Sequence, residues 1–161
     1  MSTTANPVFD WSGLPILPDQ AIADASIPWV PLSAGVVYKP LRFDFTTGTW
    51  VNVLRIDPGA GLSRHRHNGG PVLAYTLAGS WRYLERTWVA EPGTFVYEPP
   101  GDIHTLVSGP EGMTTLFVTD GVLQYFDDND VLTREDNVFT RYKGYIDYCA
   151  ANGLEPVDLR Y

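Results

Sequence analysis

The sequence predicts an all-β protein in which many short strands form a sandwich or barrel, with one helix near the C-terminus. Apolar and polar residues alternate with a period near two in segments such as "TWVNVLRI", as they do in half-buried strands. Turns rich in glycine and proline, such as "DPGAG" and "YEPPG", separate these segments at fairly even spacing. Because the chain has 161 residues, we expect a single domain over 1–161.

The N-terminal part of the chain differs from the part that carries the strand pattern. Residues 1–28 are rich in proline, small residues and acids, and we expect an arm in a position to cross to a neighbouring subunit. Residues 29–132 carry the strands of the predicted barrel. Within them, Gly79 and Ser80 separate "VLAYTLA" from "WRYLERTWV", which predicts a hairpin with a two-residue turn.

The C-terminal part predicts the one convincing helix. Thr133 followed by Asp136 resembles a capping box, and apolar residues then recur at helical spacing. Gly153 is placed to end this helix, because glycine readily adopts the left-handed conformation found there. We therefore expect a helix over residues 133–153 and a tail over residues 154–161.

The composition argues against several classes of protein. The formal net charge of −8 disfavours nucleic-acid binding, because phosphates demand a basic protein face. No apolar run approaches the roughly 18 residues that a membrane span requires, and the first residues do not resemble a signal peptide. The single cysteine, Cys149, cannot form an internal disulfide, so we expect a cytoplasmic protein.

The three histidines of the chain lie in two segments. His65 and His67 are two residues apart in "GAGLSRHRHNGG", and His104 lies in "YEPPGDIHTLV". Residues i and i+2 of a strand point to the same face, so the first two imidazoles would converge on one point. Taken alone, the pair is also compatible with surface histidines beside Arg64 and Arg66.

The residues around these histidines resemble the two sequence motifs of the cupin superfamily, over residues 59–108. The motif positions are Gly59, His65, His67 and Gly79, then Gly93, Pro99, Gly101 and His104. The resemblance implies a cupin double-stranded β-helix, which is a jelly-roll barrel, with a metal held inside by inward-facing histidines. The turn at Pro99 to Gly101 would present His104 to the barrel interior, because proline fixes φ and glycine allows positive φ.

One residue departs from the cupin pattern. Cupins usually carry a glutamate at the position that Val72 occupies here. Three neutral imidazoles would then leave the full charge on a divalent metal and up to three open positions. A bidentate anionic substrate and dioxygen could bind there together.

Two other carboxylates are candidates for the missing acid. If the predicted hairpin forms, Ala74 faces Glu85, and Glu85 points into the barrel with Tyr83 on the same face. Glu98 is the rival, because it directly precedes Pro99 at the end of "TFVYE", but the pattern does not fix which face of this strand is inward. An exposed ion pair with a neighbouring arginine is the alternative for Glu85.

Several longer segments resemble the 2,4′-dihydroxyacetophenone dioxygenase family, from about Val30 to the C-terminal helix. They include "LSRHRHNGG", "GSWRYLE" and "GTFVYEPPGDIHTLV". The resemblance implies a non-haem iron enzyme that splits an aryl hydroxyketone into an aryl carboxylate and formate. It also implies roles for four residues: iron ligands at His65, His67 and His104, and an accompanying acid at Glu85.

We therefore expect a ring-sparing, Fe(II)-dependent dioxygenase that takes a small aromatic ketone and O2. The substrate would chelate the metal through its ketone and hydroxyl oxygens, and Glu85 or Glu98 would accept a proton. The alternatives are a β-diketone-cleaving three-histidine cupin and a non-catalytic cupin sensor with Zn or another divalent transition metal. We also expect a homodimer or homotetramer.

Overall fold

Most of the chain is in long antiparallel strands. The computed structural model describes residues 19–160, and one α-helix follows the last strand. The elements in chain order are β1 Val30–Ser33, β2 Val36–Asp44, β3 Thr49–Ile56, β4 Gly61–Tyr83, β5 Phe95–Glu98, β6 Ile103–Phe126, β7 Leu132–Asn137 and α1 Val138–Ala151. The predicted all-β fold with one C-terminal helix is confirmed.

Strands β4 and β6 enclose the interior because they pair with each other repeatedly. The order in the sheet is β1-β2-β3-β6-β4-β5, with β7 also paired to β6. The first half of β4 pairs with both ends of β6, so that His65 lies opposite both His104 and Tyr125. The second half of β4 pairs with the middle of β6 from Met113 to Thr119. The two strands thus form the walls of a jelly-roll barrel.

Alternation along the strands separates the interior from the surface. On β4, Val72, Ala74 and Thr76 are buried, whereas Leu73 and Tyr75 between them are exposed. Successive side chains of a strand point to opposite faces, and each apolar side chain that is fully buried contributes about 1.5–3 kcal/mol. The period-two pattern therefore identifies which side chains line the barrel interior.

The predicted hairpin at Gly79 and Ser80 is wrong. Strand β4 continues through both residues to Tyr83, and the register with β6 shifts there, as in a bulge. Gly79 has φ of 66°, and a Cβ on it would lie 2.1 Å from the Gly112 carbonyl oxygen. The glycine therefore permits a close approach of two strands, which sequence alone does not distinguish from a turn.

The predicted helix starts too early. Residues 132–137 form β7, which pairs with β6, and the helix begins at Val138. Asn137 is the N-cap: its side chain accepts hydrogen bonds from two backbone N–H groups, and the Thr140 hydroxyl accepts one from the Asn137 N–H. The end of the helix is as predicted, because Gly153 has φ of 64° just after it. The pairing with β6, a tertiary interaction, moves the boundary.

The predicted N-terminal arm is described only from residue 19 onward, and residues 1–18 lie outside the described range. A short 3-10 helix spans Asp24–Ser26, and the Lys39 ammonium of β2 donates to the Asp24 carboxylate at 2.6 Å. This part of the arm thus contacts the barrel of its own chain. None of the helices within residues 19–160 has the length and apolar character needed to cross a membrane.

Candidate metal centre

The three histidines are gathered inside the barrel. His65 and His67 lie on β4, His104 lies near the start of β6, and all three side chains are buried. One ligand nitrogen from each lies within 4.8 Å of the others. The predicted convergence is confirmed, and it follows from two pairings: i with i+2 on one strand, and His65 opposite His104 across strands.

The orientation of His65 is fixed by a backbone group. Its Nδ1 lies 2.7 Å from the Ser63 carbonyl oxygen, which accepts a hydrogen bond. Nδ1 therefore carries the proton, and Nε2 keeps a free lone pair for a metal. Metal-binding histidines are commonly oriented in this way.

The turn before His104 is held against β4. Gly101 has φ of 100°, and its N–H donates to the His67 carbonyl oxygen at 2.8 Å. This bond fixes the start of β6 beside the His67 segment, so that His104 enters the same interior. The predicted tight turn at Pro99 to Gly101 is confirmed.

Glu98 is a buried carboxylate that lies beside the three histidines. It is the last residue of β5 and its side chain is buried. One carboxylate oxygen lies 3.0 Å from His67 Nε2 and 3.7 Å from His104 Nε2. In the β4–β5 ladder Glu98 is the direct partner of Val72, the position where cupins usually carry their glutamate. The acid is thus supplied from the neighbouring strand, on the same face of the sheet.

The predicted inward orientation of Glu85 is wrong. Glu85 lies in the turn after β4, its side chain is exposed, and its carboxylate accepts a hydrogen bond from the Thr105 N–H at 2.9 Å. The prediction depended on a hairpin that does not form. Arg86, beside it, pairs instead with Asp102. The role that the family resemblance gave to Glu85 would therefore have to be exerted from outside the barrel.

Tyr83 lies beside the histidines and its side chain is buried, so it faces inward as predicted, but Glu85 does not share that face. Its ring stacks on the imidazole of His104, with 3.7 Å between centroids and 16° between planes. Burial, with the nearby Glu98 carboxylate, raises the pKa of Tyr83 well above its usual 10. The side chain is therefore a neutral phenol at physiological pH, and it holds the ring of His104 in place.

Burial also keeps the imidazoles of His65 and His104 uncharged. It lowers the pKa of His65 well below 6.5, with a further contribution from His104 and His67. It lowers the pKa of His104 to about 4, although the Glu98 carboxylate acts in the opposite direction. Neutral imidazole is the form that binds metals, so these two residues are ready ligands at pH 7.

Several buried polar atoms of this cluster lack a hydrogen bond to any residue in the range 19–160. They are Nδ1 and Nε2 of His67, Nε2 of His104, and both carboxylate oxygens of Glu98. Buried polar atoms are nearly always paired, because an unpaired one costs the full free energy of its desolvation. A divalent transition metal would satisfy one nitrogen of each histidine and the Glu98 carboxylate beside them, since imidazole nitrogen and carboxylate oxygen are the donors that iron and zinc accept. The residues therefore fit the metal that the resemblance implies.

A small cavity adjoins the cluster. Its volume is about 30 Å³, and His65, His67 and Tyr83 form part of its wall. Apolar side chains form most of the remainder, together with the polar residues Asn52, Thr119 and Arg141. A second cavity of about 80 Å³ reaches Tyr83, His104 and Glu98 from another direction. Two small cavities thus adjoin the cluster.

Sequence reasoning missed the polar residues of the first cavity. Asn52 is a buried residue of β3 and Thr119 a buried residue of β6, at positions that only the strand register identifies. Arg141 shares the buried stripe of α1 with Val138 and Tyr145, and this i, i+3, i+7 spacing was the available signal.

Comparisons with known proteins agree with this architecture. The family model of the ChrR cupin-like domain matches residues 18–124. An RmlC-like cupin from Ralstonia eutropha JMP134 is 33% identical, with a TM-score of 0.85 over 90% of this chain and 96% of that one. No protein of curated function matches the sequence.

Two more distant structures share the fold. An acetylacetone dioxygenase from Acinetobacter johnsonii is 17% identical, with a TM-score of 0.72 over 86% of this chain and 99% of that one. The complex of Rhodobacter sphaeroides SigE with the anti-sigma ChrR matches at 22% identity and a TM-score of 0.52, over 61% of this chain and 52% of that one. Together with the barrel and its histidines, the family match shows that the chain is a cupin of the ChrR cupin-like family.

Proposed function

We propose that the protein is a metal-dependent dioxygenase that cleaves a carbon–carbon bond beside a carbonyl group of a small substrate. The first substrate class is an aryl α-hydroxyketone, with an aryl carboxylate and formate as products, following the family resemblance of the sequence. The observation that carries the proposal is the cluster of three buried histidines with Glu98, in which several polar atoms have no hydrogen-bond partner among the described residues. Fe(II) is the proposed metal, and when bound it would supply Lewis acidity and the redox chemistry that dioxygen requires.

The residues of the cluster have different roles in this proposal. His65, His67 and His104 hold the metal as neutral ligands, which leaves its charge available to a chelating ketone and hydroxyl oxygen. Glu98 accepts the proton of the substrate hydroxyl, because it is the buried carboxylate 3.0 Å from His67 Nε2. Tyr83 remains protonated and stacks on His104, so it positions a ligand and takes no proton.

The walls of the cavity keep water away from the reacting atoms. Trp50, Leu54 and Phe117 contribute apolar surface beside His65 and His67. A dry interior strengthens the interaction of the Glu98 carboxylate with nearby positive charge, and it protects reactive species from side reactions.

A β-diketone is the second candidate substrate, and the size of the cavity favours it. The cavity beside His65 and His67 measures about 30 Å³. An apolar cavity that holds benzene measures roughly 150 Å³, so an aryl ring requires side-chain movement here. A small aliphatic diketone requires less, and an acetylacetone dioxygenase shares the fold.

A metal-binding sensor is the third candidate, because the family model is that of the ChrR cupin-like domain and a ChrR complex shares the fold. In this case the same three histidines would hold Zn(II), and the protein would bind a partner protein instead of converting a substrate. Iron and zinc accept the same imidazole donors, so the choice between enzyme and sensor depends on turnover.

Oxygen uptake decides between these functions. Anaerobically prepared, Fe(II)-loaded protein would be given 2,4′-dihydroxyacetophenone or acetylacetone, with oxygen followed by electrode and the acid product assayed in the same vessel, formate from the hydroxyketone and acetate from the diketone. We expect oxygen consumption matched to product, and none for His104→Ala, which removes a ligand. Iron in the site with no uptake on either substrate would refute the proposed enzyme class and leave the sensor.

Association of copies is a further part of the proposal. Leu73 and Tyr75 of β4 and Phe95 and Tyr97 of β5 are exposed, and they form two cross-strand pairs on one face of the sheet. Contiguous exposed apolar surface commonly marks an interface, which supports a homodimer or homotetramer. Sedimentation equilibrium measures the mass, and a monomer at micromolar concentration would contradict this part. Cytoplasmic location stays a prediction.

A further inference from the structure

Arg141 is a buried cation beside the proposed metal centre that the mechanism above does not use. It lies on α1, only 5% of its surface is exposed, and it lines the same cavity as His65 and His67. Its Nη2 donates to the Asp136 carboxylate at 3.0 Å. Its Nε and Nη1 have no hydrogen-bond partner in the part of the chain that the structure describes. A guanidinium rarely remains buried with two of its three nitrogens unsatisfied.

The position of Arg141 is fixed by contacts with residues that do not line the cavity. The Tyr38 hydroxyl donates to the Arg141 carbonyl oxygen at 2.9 Å, and the guanidinium carbon lies 5.3 Å from the centre of the Tyr38 ring. Val138, Tyr145 and Cys149 bury the same stripe of the helix. The guanidinium is therefore held in place before any ligand arrives, which lowers the entropy cost of binding one.

The charge around Arg141 is not balanced. The carboxylate oxygen of Asp136 that accepts from Arg141 also accepts from Arg134 at 3.3 Å. One carboxylate thus serves two guanidiniums, of which Arg134 is half exposed and Arg141 is buried. A buried charge that is only partly compensated attracts a ligand of opposite sign.

The remaining lining of the cavity has the composition of a ligand site, and its volume of about 30 Å³ means that side chains must move before an aryl ring enters. Asn52 and Thr119 are buried polar residues in its wall, among apolar residues such as Trp50, Leu54 and Phe117. Pockets for small molecules typically combine a mostly apolar lining with a few polar groups that fix orientation.

We propose that Arg141 binds an anionic oxygen, a carboxylate or phenolate, on the end of the substrate that points away from the three histidines. This inference deepens the proposed function, because it names the substrate class: a small molecule that chelates the metal at one end and carries an oxyanion at the other. Guanidinium is well suited to this task, since it stays charged and offers several donors in a rigid plane.

Binding of small carboxylates tests the inference without catalysis. The full chain, loaded with redox-inactive Zn(II), would be titrated with acetate and benzoate and with their neutral isosteres acetamide and benzamide. We expect Arg141→Met to weaken carboxylate binding at least tenfold and to leave amide binding unchanged. Arg134→Met is the matched control, because it removes the other arginine on Asp136 but lies outside the cavity wall, and we expect it to bind carboxylates as the unaltered protein does.

A second variant and a second measurement keep the test valid even if Arg141→Met fails to fold. Arg141→Met leaves Asp136 without its buried partner, so the double variant Asp136→Asn/Arg141→Met removes both charges together. The Nε–H resonance of Arg141 in nitrogen-15 spectra of the unaltered protein should also shift on addition of acetate and not of acetamide. A purely structural arginine would show no such shift.

Two results would overturn the inference. One is equal carboxylate affinity in the unaltered protein and the Arg141→Met variant, and the other is an Arg141 Nε–H chemical shift that does not change when acetate is added. Water molecules would then be the partners of the guanidinium. Failure of the proposed function looks different: the Fe(II) protein would consume no oxygen, while Arg141-dependent carboxylate binding to the Zn(II) protein would persist.

Discussion

Replacing Glu98 with glutamine should change the stability of the metal-free and metal-loaded protein in opposite directions. Without metal, neither oxygen of the buried Glu98 carboxylate has a well-formed hydrogen bond to the described residues, and the neighbouring polar atom is His67 Nε2 at 3.0 Å. Glu98→Gln should stabilise the metal-free protein by about 1–3 kcal/mol, because a buried charge costs more desolvation free energy than the neutral amide that replaces it. With metal, the same change removes a carboxylate from beside the ligands, so the metal stabilises the protein less.

The size of the metal-dependent part follows from the geometry. Glu98 lies 3.0 Å from one ligand nitrogen and 3.7 Å from another, close enough to bind the metal or to orient its ligands. Loss of such a partner typically weakens metal binding about 10- to 100-fold, which is about 1.4–2.7 kcal/mol. In a domain of 161 residues, about 2–4 °C corresponds to each kcal/mol, so the metal-induced rise in Tm should shrink by about 3–11 °C.

Thermal unfolding of six samples checks this prediction: the unaltered protein and each of two variants, metal-free and with a fixed excess of Zn(II). Glu85→Gln is the matched control, because Glu85 is exposed and its glutamine can still accept the hydrogen bond from the Thr105 N–H. It should change neither Tm. If Glu85→Gln shrank the metal-induced rise and Glu98→Gln did not, the assignment of the inward acid would be refuted.

Three further predictions concern stability. Burial lowers the pKa of His104 from 6.5 to about 4. Between pH 4 and 6.5, His104 is therefore protonated in the unfolded chain and neutral in the folded protein. As pH falls from about 6.5 to about 4, the metal-free protein should lose about 1.4 kcal/mol of unfolding free energy per pH unit through this residue. Urea unfolding at several pH values measures the slope, and an equal slope in His104→Gln would contradict it. Gly79→Ala should destabilise far more than Gly48→Ala, because both have positive φ but only the first places a Cβ 2.1 Å from a carbonyl oxygen; equal urea midpoints would contradict this. Asn137→Ala should cost about 1 kcal/mol through the lost N-cap, and an unchanged midpoint would show that the cap contributes nothing.

Local sequence patterns were sufficient for the histidines. His65 and His67 share a face because strand geometry has a period of two, and this holds wherever the strand lies. The turn at Gly101 was equally local, since the conformations open to proline and glycine restrict it strongly. These features needed no knowledge of which strands pair.

Features that depend on distant pairing were less predictable. The inward acid was left open between Glu85 and Glu98, because the choice depended on whether the chain turns at Gly79 or continues through it. The glycine is required by the approach of Gly112, which lies 33 residues further along the chain. Arg141 depends in the same way on how α1 packs against the barrel. Contacts between residues far apart in sequence leave little trace in either segment.

The pairing of Val72 with Glu98 bears on how metal motifs are recognised. The two residues face each other across the β4–β5 ladder, and side chains opposite each other on a ladder begin about 4.5–5.5 Å apart. A carboxylate from either backbone can therefore reach the same part of the interior without any change of fold. An apolar residue at the motif position thus does not leave the interior of this barrel without a carboxylate. The acid stands across the ladder, although 26 positions separate the two residues in the chain.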